Sequence, residues 1–430
     1  MTRQRYIHLA VFGLLMSLFI CLRPYTGECD ASLHYLSARS GLLWSAWARP
    51  VCALVFAALS PMGYVTERCV MVWVAVLCCW LCFQIANQIG VRAWWAIIPL
   101  CLCQPFVLAT WADTMTEPFM AAAMLFAWLA LLKHWRKAFL ITLGFLPLIR
   151  PEGFLIILAG IAVARYPLRL WPLAAIGTAL WCIATKIFIG EWLWWATNFS
   201  WPVHTQAVYG SGTWYFFLAN LPLILSMPLF GYFLLAFTSP IRRDGSCAFP
   251  VTCAIAFLAV HTVLWTCGLF GEAGLLRIFA SLGGFFAILA AVGIDETMFS
   301  RSCRRPFICA TLCIGIAISY ISYDGLQFHH DYVPLRKCIE EAERIMNNGG
   351  KLISVEPLGY LLAAQTPDGL ILPSIHGVDL HLDQLPRWSI FVSEPRRDDA
   401  WCHISEINLP ALGFQKRFEA SPYSVWEKIR

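Results

Sequence analysis

The stretch LGFLPLIRPEGFLIIL at residues 143–158 has the apolar composition of a membrane helix, yet four residues at its centre do not suit one. Arg150 and Glu152 carry opposite charges, and Pro151 and Gly153 disfavour a continuous helix. Ionisable side chains at membrane depth are costly, so their presence is a sign of function by default. The stretch therefore predicts two half-length helices that meet at a polar point inside a membrane.

The composition places the whole chain among membrane proteins. Of its 430 residues, 59% are hydrophobic and 13% are charged, and the mean hydropathy is +0.65. These values exceed those of soluble domains, and apolar runs near the length of a membrane span recur along the sequence. The net charge of +5 lies mainly in short loops, so we expect no nucleic-acid partner. Many of the 18 cysteines lie in apolar runs, where thiols behave as small hydrophobic groups.

The basic loops indicate the topology. Arg3 and Arg5 precede the first apolar run, which we interpret as an uncleaved signal anchor with a cytoplasmic N-terminus. Under the positive-inside rule, spans near 68–88, 93–110 and 117–132 follow. The later cytoplasmic loops are the basic clusters at 133–137, 165–169, 241–244 and 300–305.

Two segments do not fit as simple spans in this topology. Residues 42–60 are predicted to form an interfacial or re-entrant piece on the outer side. Residues 138–164 lie between two basic loops, so both ends should face the cytoplasm, as in a re-entrant pair of half-helices. The sequence thus predicts an α-helical polytopic membrane protein with about 11 membrane segments.

The composition changes after the last apolar run. The sequence YVPLRKCIEEAERIMNNGGKLISVEP, beginning at residue 332, predicts a helix of about four turns, a stop at Asn-Asn-Gly-Gly, and a strand. RWSIFVSE at 387–394 and YSVWEKI at 423–429 are further strand candidates. We interpret 1–323 as a multi-span membrane module and 324–430 as a small α/β domain outside the cytoplasm.

The predicted outer loops carry the residues suited to chemistry. TGECDASLHYL at 26–36 contains Glu28, Asp30 and His34, and WADTMTEPF at 111–119 contains Asp113 and Glu117. A carboxylate at the membrane surface can act as a general base or bind a divalent cation. Alternatively, these loops are polar only because they meet water, and a lone histidine more often serves as a hydrogen-bonding residue.

The order of these motifs resembles a known enzyme class. ECDASLHY, DTMTEP, LIRPEG, GEAGLLRIF at 271–279 and a terminal α/β domain occur in the order seen in integral-membrane glycosyltransferases of the GT-C class. The chain looks most similar to the mannosyltransferase and aminoarabinose transferase branch. The resemblance implies a GT-C-type fold, a polyprenyl-phosphate-linked sugar donor, and transfer outside the cytoplasm to a lipid, glycan or protein acceptor. Ile278 stands where several mannosyltransferase branches have tyrosine, so the sugar and the acceptor stay open.

The resemblance also suggests roles for the residues. Asp30, or Glu28, would be the base of an inverting displacement, and Glu117 would orient the site or share Mg²⁺ or Mn²⁺ with Asp30. Arg277 would bind the donor phosphate at headgroup level. Arg150 would support it from deeper in the membrane, or would only pair with Glu152 and brace the helix break. Glu152, Asp113 and His34 are supporting candidates.

Two other classes remain open at this point. A non-catalytic membrane scaffold is one of them, but it would not need carboxylates gathered at two outer loops. A transporter or flippase of a lipid-linked glycan would also place polar residues at membrane depth, but such proteins commonly have paired broken helices in their two halves. We expect a multi-pass protein of the bacterial inner membrane, or else of the endoplasmic reticulum membrane.

Overall fold

The computed structural model describes residues 3–22, 29–39, 49–193, 210–238, 245–269, 274–297, 301–326, 329–346, 352–354, 387–393 and 408–429. The chain divides into two compact units. The membrane unit comprises Met1–Leu22, Arg49–Cys52 and Thr66–Asp324, and the second unit comprises Arg23–Ala48, Ala53–Val65 and Gly325–Arg430. The division into domains 1–323 and 324–430 stays a prediction, because compactness alone does not establish independent folding.

Helices make up most of the described chain. In order, they are α1 (Arg3–Leu22), α2 (Cys29–Arg39), α3 (Pro50–Leu59), α4 (Tyr64–Gln88), α5 (Ile97–Leu102), α6 (Pro105–Trp111), α7 (Glu117–Leu132), α8 (Arg136–Phe145), α9 (Gly153–Ala164), α10 (Ile176–Phe188), α11 (Phe216–Ala219), α12 (Leu221–Leu225), α13 (Met227–Ala236), α14 (Ala248–Cys267), α15 (Gly283–Asp295), α16 (Arg301–Leu326) and α17 (His329–Ile345).

Several helical stretches are long and apolar enough to cross a membrane. Within the described residues there are five, or six if one bent pair counts as a span, and shorter apolar helices accompany them. The predicted class, an α-helical polytopic membrane protein, is confirmed. The five stretches are Arg3–Leu22, Tyr64–Gln88, Leu168–Phe188, Ala248–Cys267 and Leu276–Asp295.

The bent pair adds a break that the sequence analysis did not predict. A span near 93–110 was expected, and within it Trp94–Leu102 and Pro105–Trp111 meet at 83°. Pro105 has no N–H for a helical hydrogen bond and disfavours a helical conformation at the preceding residue. Gln104 is accordingly extended, with φ −91° and ψ 112°. Its Nε2 donates to the carbonyls of Leu100 and Gly283 at 3.3 and 3.0 Å, which stabilises the break.

The second break is the one that the sequence predicts. Helix α8 ends at Phe145, a 3₁₀ turn covers Leu146–Leu148, and α9 begins at Gly153. A Cβ atom on Gly153 would lie 2.3 Å from the carbonyl carbon of Leu146, so the close approach at the break requires glycine. The pair of half-helices is therefore confirmed, and its re-entrant course stays a prediction.

The second unit contains a small sheet covered by α17. Its strands are β1 (Leu352–Ser354), β2 (Ile390–Ser393), β3 (Phe414–Ala420) and β4 (Tyr423–Lys428), in the order β1-β2-β4-β3. β1 and β2 are parallel, and β4 is antiparallel to both of its neighbours. Cys338 on α17 lies in the core between helix and sheet, and burial raises the pKa of its thiol to about 11, which keeps it uncharged.

The sequence predicts α17, β1, β2 and β4 but misses β3. Its sequence, FQKRFEA, contains three charged residues and follows no clean alternation of apolar and polar positions. β3 lies at the edge of the described sheet, where most of its side chains are exposed and its pairing with β4 fixes its structure. The sequence of such an edge strand gives little indication that it forms a strand.

Candidate functional site

Arg150 joins the starts of two helices through four hydrogen bonds. Its Nη1 donates to Glu117 Oε1 at 2.7 Å and to Thr116 Oγ1 at 3.0 Å. Its Nη2 and Nε donate to Glu152 Oε1 at 2.8 and 3.3 Å. Glu117 is the first residue of α7, and Glu152 directly precedes α9. The guanidinium therefore ties the start of α7 to the start of α9.

This geometry restricts what Arg150 can do. A guanidinium has five N–H donors, and Arg150 uses four N–H···O contacts on protein oxygens. Glu117 is 1% exposed, so its carboxylate depends on this pairing. Of the two roles that the sequence left open, the contacts fit a brace at the helix break better than a ligand for phosphate.

Two more arginines lie near this pair. Arg277 is half-buried at the start of the turn Leu276–Leu282, and it is close enough to Arg150 for their charges to repel. Arg49 directly precedes α3 and interacts electrostatically with Arg150, Glu152 and Glu117. We call Arg49, Arg150, Arg277, Glu117 and Glu152 the arginine centre. Its three guanidinium groups and two carboxylates leave a formal charge of +1.

His261 is a further ionisable residue at this place. It lies on α14, is 3% exposed, and brings its Nε2 to 3.7 Å from Glu152 Oε1. Neither His261 nor Arg49 is identified as a site residue from the sequence. A single histidine in an apolar run resembles a core residue, and Arg49 lies within the segment 42–60 that was predicted to be an interfacial or re-entrant piece. The one signal in both cases was an ionisable residue within an apolar stretch.

Asp113 belongs to a different ion pair. Its Oδ1 lies 3.3 Å from Arg68 Nε, which also donates to the Ala112 carbonyl at 3.1 Å. Glu67, next to Arg68 on α4, is fully buried, and neither of its carboxylate oxygens has a hydrogen-bond partner in the described part of the chain. The structure therefore pairs Asp113 with Arg68, while Glu117 pairs with Arg150.

The first-loop candidates lie on or beside α2, in the second unit. Glu28 falls outside the described residues. Asp30 and His34 lie four residues apart on the helix, as expected for one turn, and the His34 ring centre is 5.8 Å from that of Phe56. The placement of the Asp30 side chain is not among the described features. Convergence of Asp30 with Glu117 and Arg277 stays a prediction.

The described residues contain no group of three His, Cys, Asp or Glu side chains arranged to hold a metal ion. Glu117, the candidate ligand that is described, uses Oε1 for Arg150, and its Oε2 lies 3.4 Å from Thr116 Oγ1. A cation beside Glu117 would also meet the positive charge of Arg150. The surroundings of Glu117 thus suit an orienting role better than metal binding.

Comparison with known proteins settles the fold. No family model matches the sequence, and no curated protein matches it significantly. The crystal structure of ArnT from Cupriavidus metallidurans in the apo state matches over 98% of both chains, with a TM-score of 0.61 and 12% identity. The crystal structure of ArnT from Cupriavidus metallidurans bound to undecaprenyl phosphate matches over 99% of this chain and 98% of that one, with a TM-score of 0.65 and 12% identity.

The chain has the ArnT fold. ArnT is an aminoarabinose transferase of the GT-C class, so the fold that the motif order implied is confirmed. The match runs through the helical membrane unit and the terminal sheet alike, since almost the whole of each chain is covered. At 12% identity, the likeness to ArnT shows a shared fold and assigns no role to individual residues.

Proposed function

We propose that this protein is a glycosyltransferase that moves a sugar from a polyprenyl-phosphate-linked donor to an acceptor outside the cytoplasm. The observation that carries the proposal is the positive arginine centre within a fold shared with a protein crystallised with undecaprenyl phosphate. A lipid-linked phosphosugar carries one negative charge on its phosphodiester. Such a group would neutralise the formal +1 charge of the centre.

Arg277 is the proposed phosphate ligand. It is half-buried at the start of an apolar helical stretch, a position that suits the depth of a lipid headgroup. A guanidinium can bind two phosphate oxygens at once through charge-assisted hydrogen bonds. Arg49 is a second candidate, because it faces the same carboxylates and contributes to the positive charge. Arg150 supports both indirectly by holding Glu117 and Glu152 in place.

Asp30 is the proposed general base, with Glu28 as the alternative. It would take the proton of the acceptor hydroxyl while the hydroxyl oxygen forms a bond to the anomeric carbon. The bond from that carbon to the phosphate oxygen breaks, and the phosphate leaves with the electron pair. A single displacement of this kind inverts the anomeric configuration. Asp30 lies in the second unit, so its role rests on the first-loop motif.

Glu117 would orient the acceptor or the base. Its carboxylate is held by Arg150 and Thr116, and a fixed group of this kind contributes by reducing the motion of the reacting partners. Metal dependence, with Mg²⁺ or Mn²⁺ shared by Asp30 and Glu117, would require Glu117 to exchange its bond to Arg150 for a cation. The proposed reaction uses the protein side chains alone.

A panel of lipid-linked sugars tests the proposal. Purified protein in lipid nanodiscs is incubated with polyprenyl-phosphate sugars of different sugar types and with a lipid acceptor fraction. We expect one donor to be consumed, with release of polyprenyl phosphate and an inverted glycosidic bond in the product. Movement of an intact lipid-linked glycan across the membrane without cleavage would instead indicate a flippase.

A further inference from the structure

His261 lies at the contact between two membrane helices. It is on α14, which packs against α9, the half-helix that begins immediately after Glu152. Its ring is surrounded by the rings of Phe217, Phe257 and Phe279, at centroid distances of 6.2, 5.4 and 6.1 Å. An apolar residue would fill this aromatic pocket at lower desolvation cost, so the polar ring needs another explanation.

The explanation lies in the atom that His261 approaches. Its Nε2 is 3.7 Å from Glu152 Oε1, the same oxygen that accepts both hydrogen bonds from Arg150. The opposite edge of the Arg150 guanidinium holds Glu117. His261, Glu152, Arg150 and Glu117 therefore form one chain of polar contacts from α14 to the start of α7.

Among the described residues, the Glu152 carboxylate is held through only one of its two oxygens. Its Oε2 is buried and has no hydrogen-bond partner in the described part of the structure. Arg150 holds only Oε1, so rotation of the carboxylate would change the position of the guanidinium. At 3.7 Å from Oε1, an N–H group on His261 Nε2 would favour the observed rotamer electrostatically.

We propose that His261 is a positioning residue that holds the Glu152 carboxylate, and through Arg150 the carboxylate of Glu117, in its working place. The proposal rests on the proposed function, because Glu117 has a role to lose only if the protein transfers a sugar. His261 itself touches neither substrate nor reacting atoms. Its loss should lower kcat and leave the KM for the lipid-linked donor almost unchanged, since the donor phosphate is bound by Arg277.

Two substitutions separate this role from simple packing. His261→Phe keeps an aromatic ring among the three phenylalanines but removes the nitrogen, and His261→Gln keeps a polar nitrogen but removes the ring. Positioning predicts that H261F lowers kcat about ten- to hundredfold, the scale expected when catalytic geometry is disturbed, and that H261Q restores most of the rate. Packing alone predicts the reverse order. His8→Phe, the same change in α1, is the matched control.

A double substitution tests the path of the effect. If His261 acts through Glu152, then H261F combined with Glu152→Gln should be no slower than Glu152→Gln alone. Residues in one network show such non-additive effects, whereas independent sites add. Independent, multiplying losses would overturn the proposal.

A readout without activity completes the test. The backbone amides of Arg150 and Gly153 are hydrogen-bonded to Leu146 and Arg150 carbonyls at 2.9 Å, so they report the order of the helix break. We expect their hydrogen–deuterium exchange to rise in H261F, and in His261→Leu should H261F not fold, but to stay near wild type in H261Q and His8→Phe. Unchanged exchange in H261F or His261→Leu would overturn the proposal. If exchange rises in H261F but the wild-type protein transfers no lipid-linked sugar, the positioning role of His261 is supported and the proposed function is rejected.

Discussion

Arg150 and Arg277 lie close together but should respond differently to substitution. Arg277→Ala would remove the proposed phosphate contact, so we expect the Kd for polyprenyl phosphate to rise about tenfold or more while the protein stays folded. Arg150→Ala removes the hydrogen bonds that hold the buried Glu117 and the partly buried Glu152, which should lower the free energy of unfolding by about 3–5 kcal/mol. Lipid binding and thermal unfolding, measured on both variants, check these outcomes. A stable Arg150→Ala that loses lipid binding, beside an Arg277→Ala that retains it, would reverse the two roles.

Glu67 offers a test of the second buried cluster. Its carboxylate is fully buried without a hydrogen-bond partner among the described residues, and Arg68 is already paired with Asp113. We expect Glu67→Met, which keeps a similar side-chain length, to raise the unfolding temperature, because it removes a buried polar group without a partner, and such a group costs about 1–3 kcal/mol. Glu340→Met, at a position 62% exposed, is the control and should have almost no effect. Destabilisation by Glu67→Met alone would mean that the carboxyl group is needed.

At this scale the sequence identifies charges but not their partners. Arg150 and Glu152 stand out because the surrounding run is apolar, and their mutual pairing follows from their spacing. The bond from Arg150 to Glu117 joins residues 33 positions apart, and only the fold brings them together. Arg49 and His261 were missed for the same reason, since each becomes significant through a neighbour that is distant in sequence.

The helix break before α9 positions Arg150 and Glu152, and substitution of Gly153 tests it. A Cβ atom there would overlap the Leu146 backbone, so Gly153→Ala must push the break apart. We expect a loss of about 1–3 kcal/mol of stability and a lower transfer rate, since Arg150 and Glu152 would move with the backbone. Gly231→Ala in α13 is the matched control, because no atom lies within 4 Å of its added Cβ. Equal behaviour of the two variants would contradict the close approach.

The two helix breaks differ in how well the sequence predicts them. Arg-Pro-Glu-Gly predicts a break because charge, proline and glycine coincide. The bend at Gln104 was missed because hydropathy does not distinguish a proline that begins a new helix, as Pro105 does, from a proline within a continuous span. Of the terminal elements, α17 and three strands were predicted from period and stop signals, and β3 depends on its pairing.

The topology belongs to the scale of the whole molecule. The basic loops predict a cytoplasmic N-terminus and an extracytoplasmic position for residues 325–430, under one consistent arrangement of the apolar runs. We expect a reporter fused after residue 323 to be active only when the reporter works outside the cytoplasm. Cysteines at 135 and 167, in a background that controls for native thiols, should both be labelled from the cytoplasmic side. A cytoplasmic terminal domain would remove the basis for the first-loop carboxylates as catalytic groups.

Substitution of the proposed general base is the sharpest test of whether this protein transfers a sugar. A general base contributes about a hundred- to ten-thousandfold to the rate, so Asp30→Asn should abolish most release of polyprenyl phosphate from the lipid-linked sugar while the protein still inserts and binds the donor. Glu28→Gln, assayed in parallel, distinguishes the alternative base two residues away. The measurement is single-turnover transfer by purified wild-type and variant proteins in nanodiscs with the preferred donor. We expect transfer by the wild type and its loss in one of the two variants. Wild-type rates in both variants, or no transfer from any lipid-linked sugar, would contradict the proposed function.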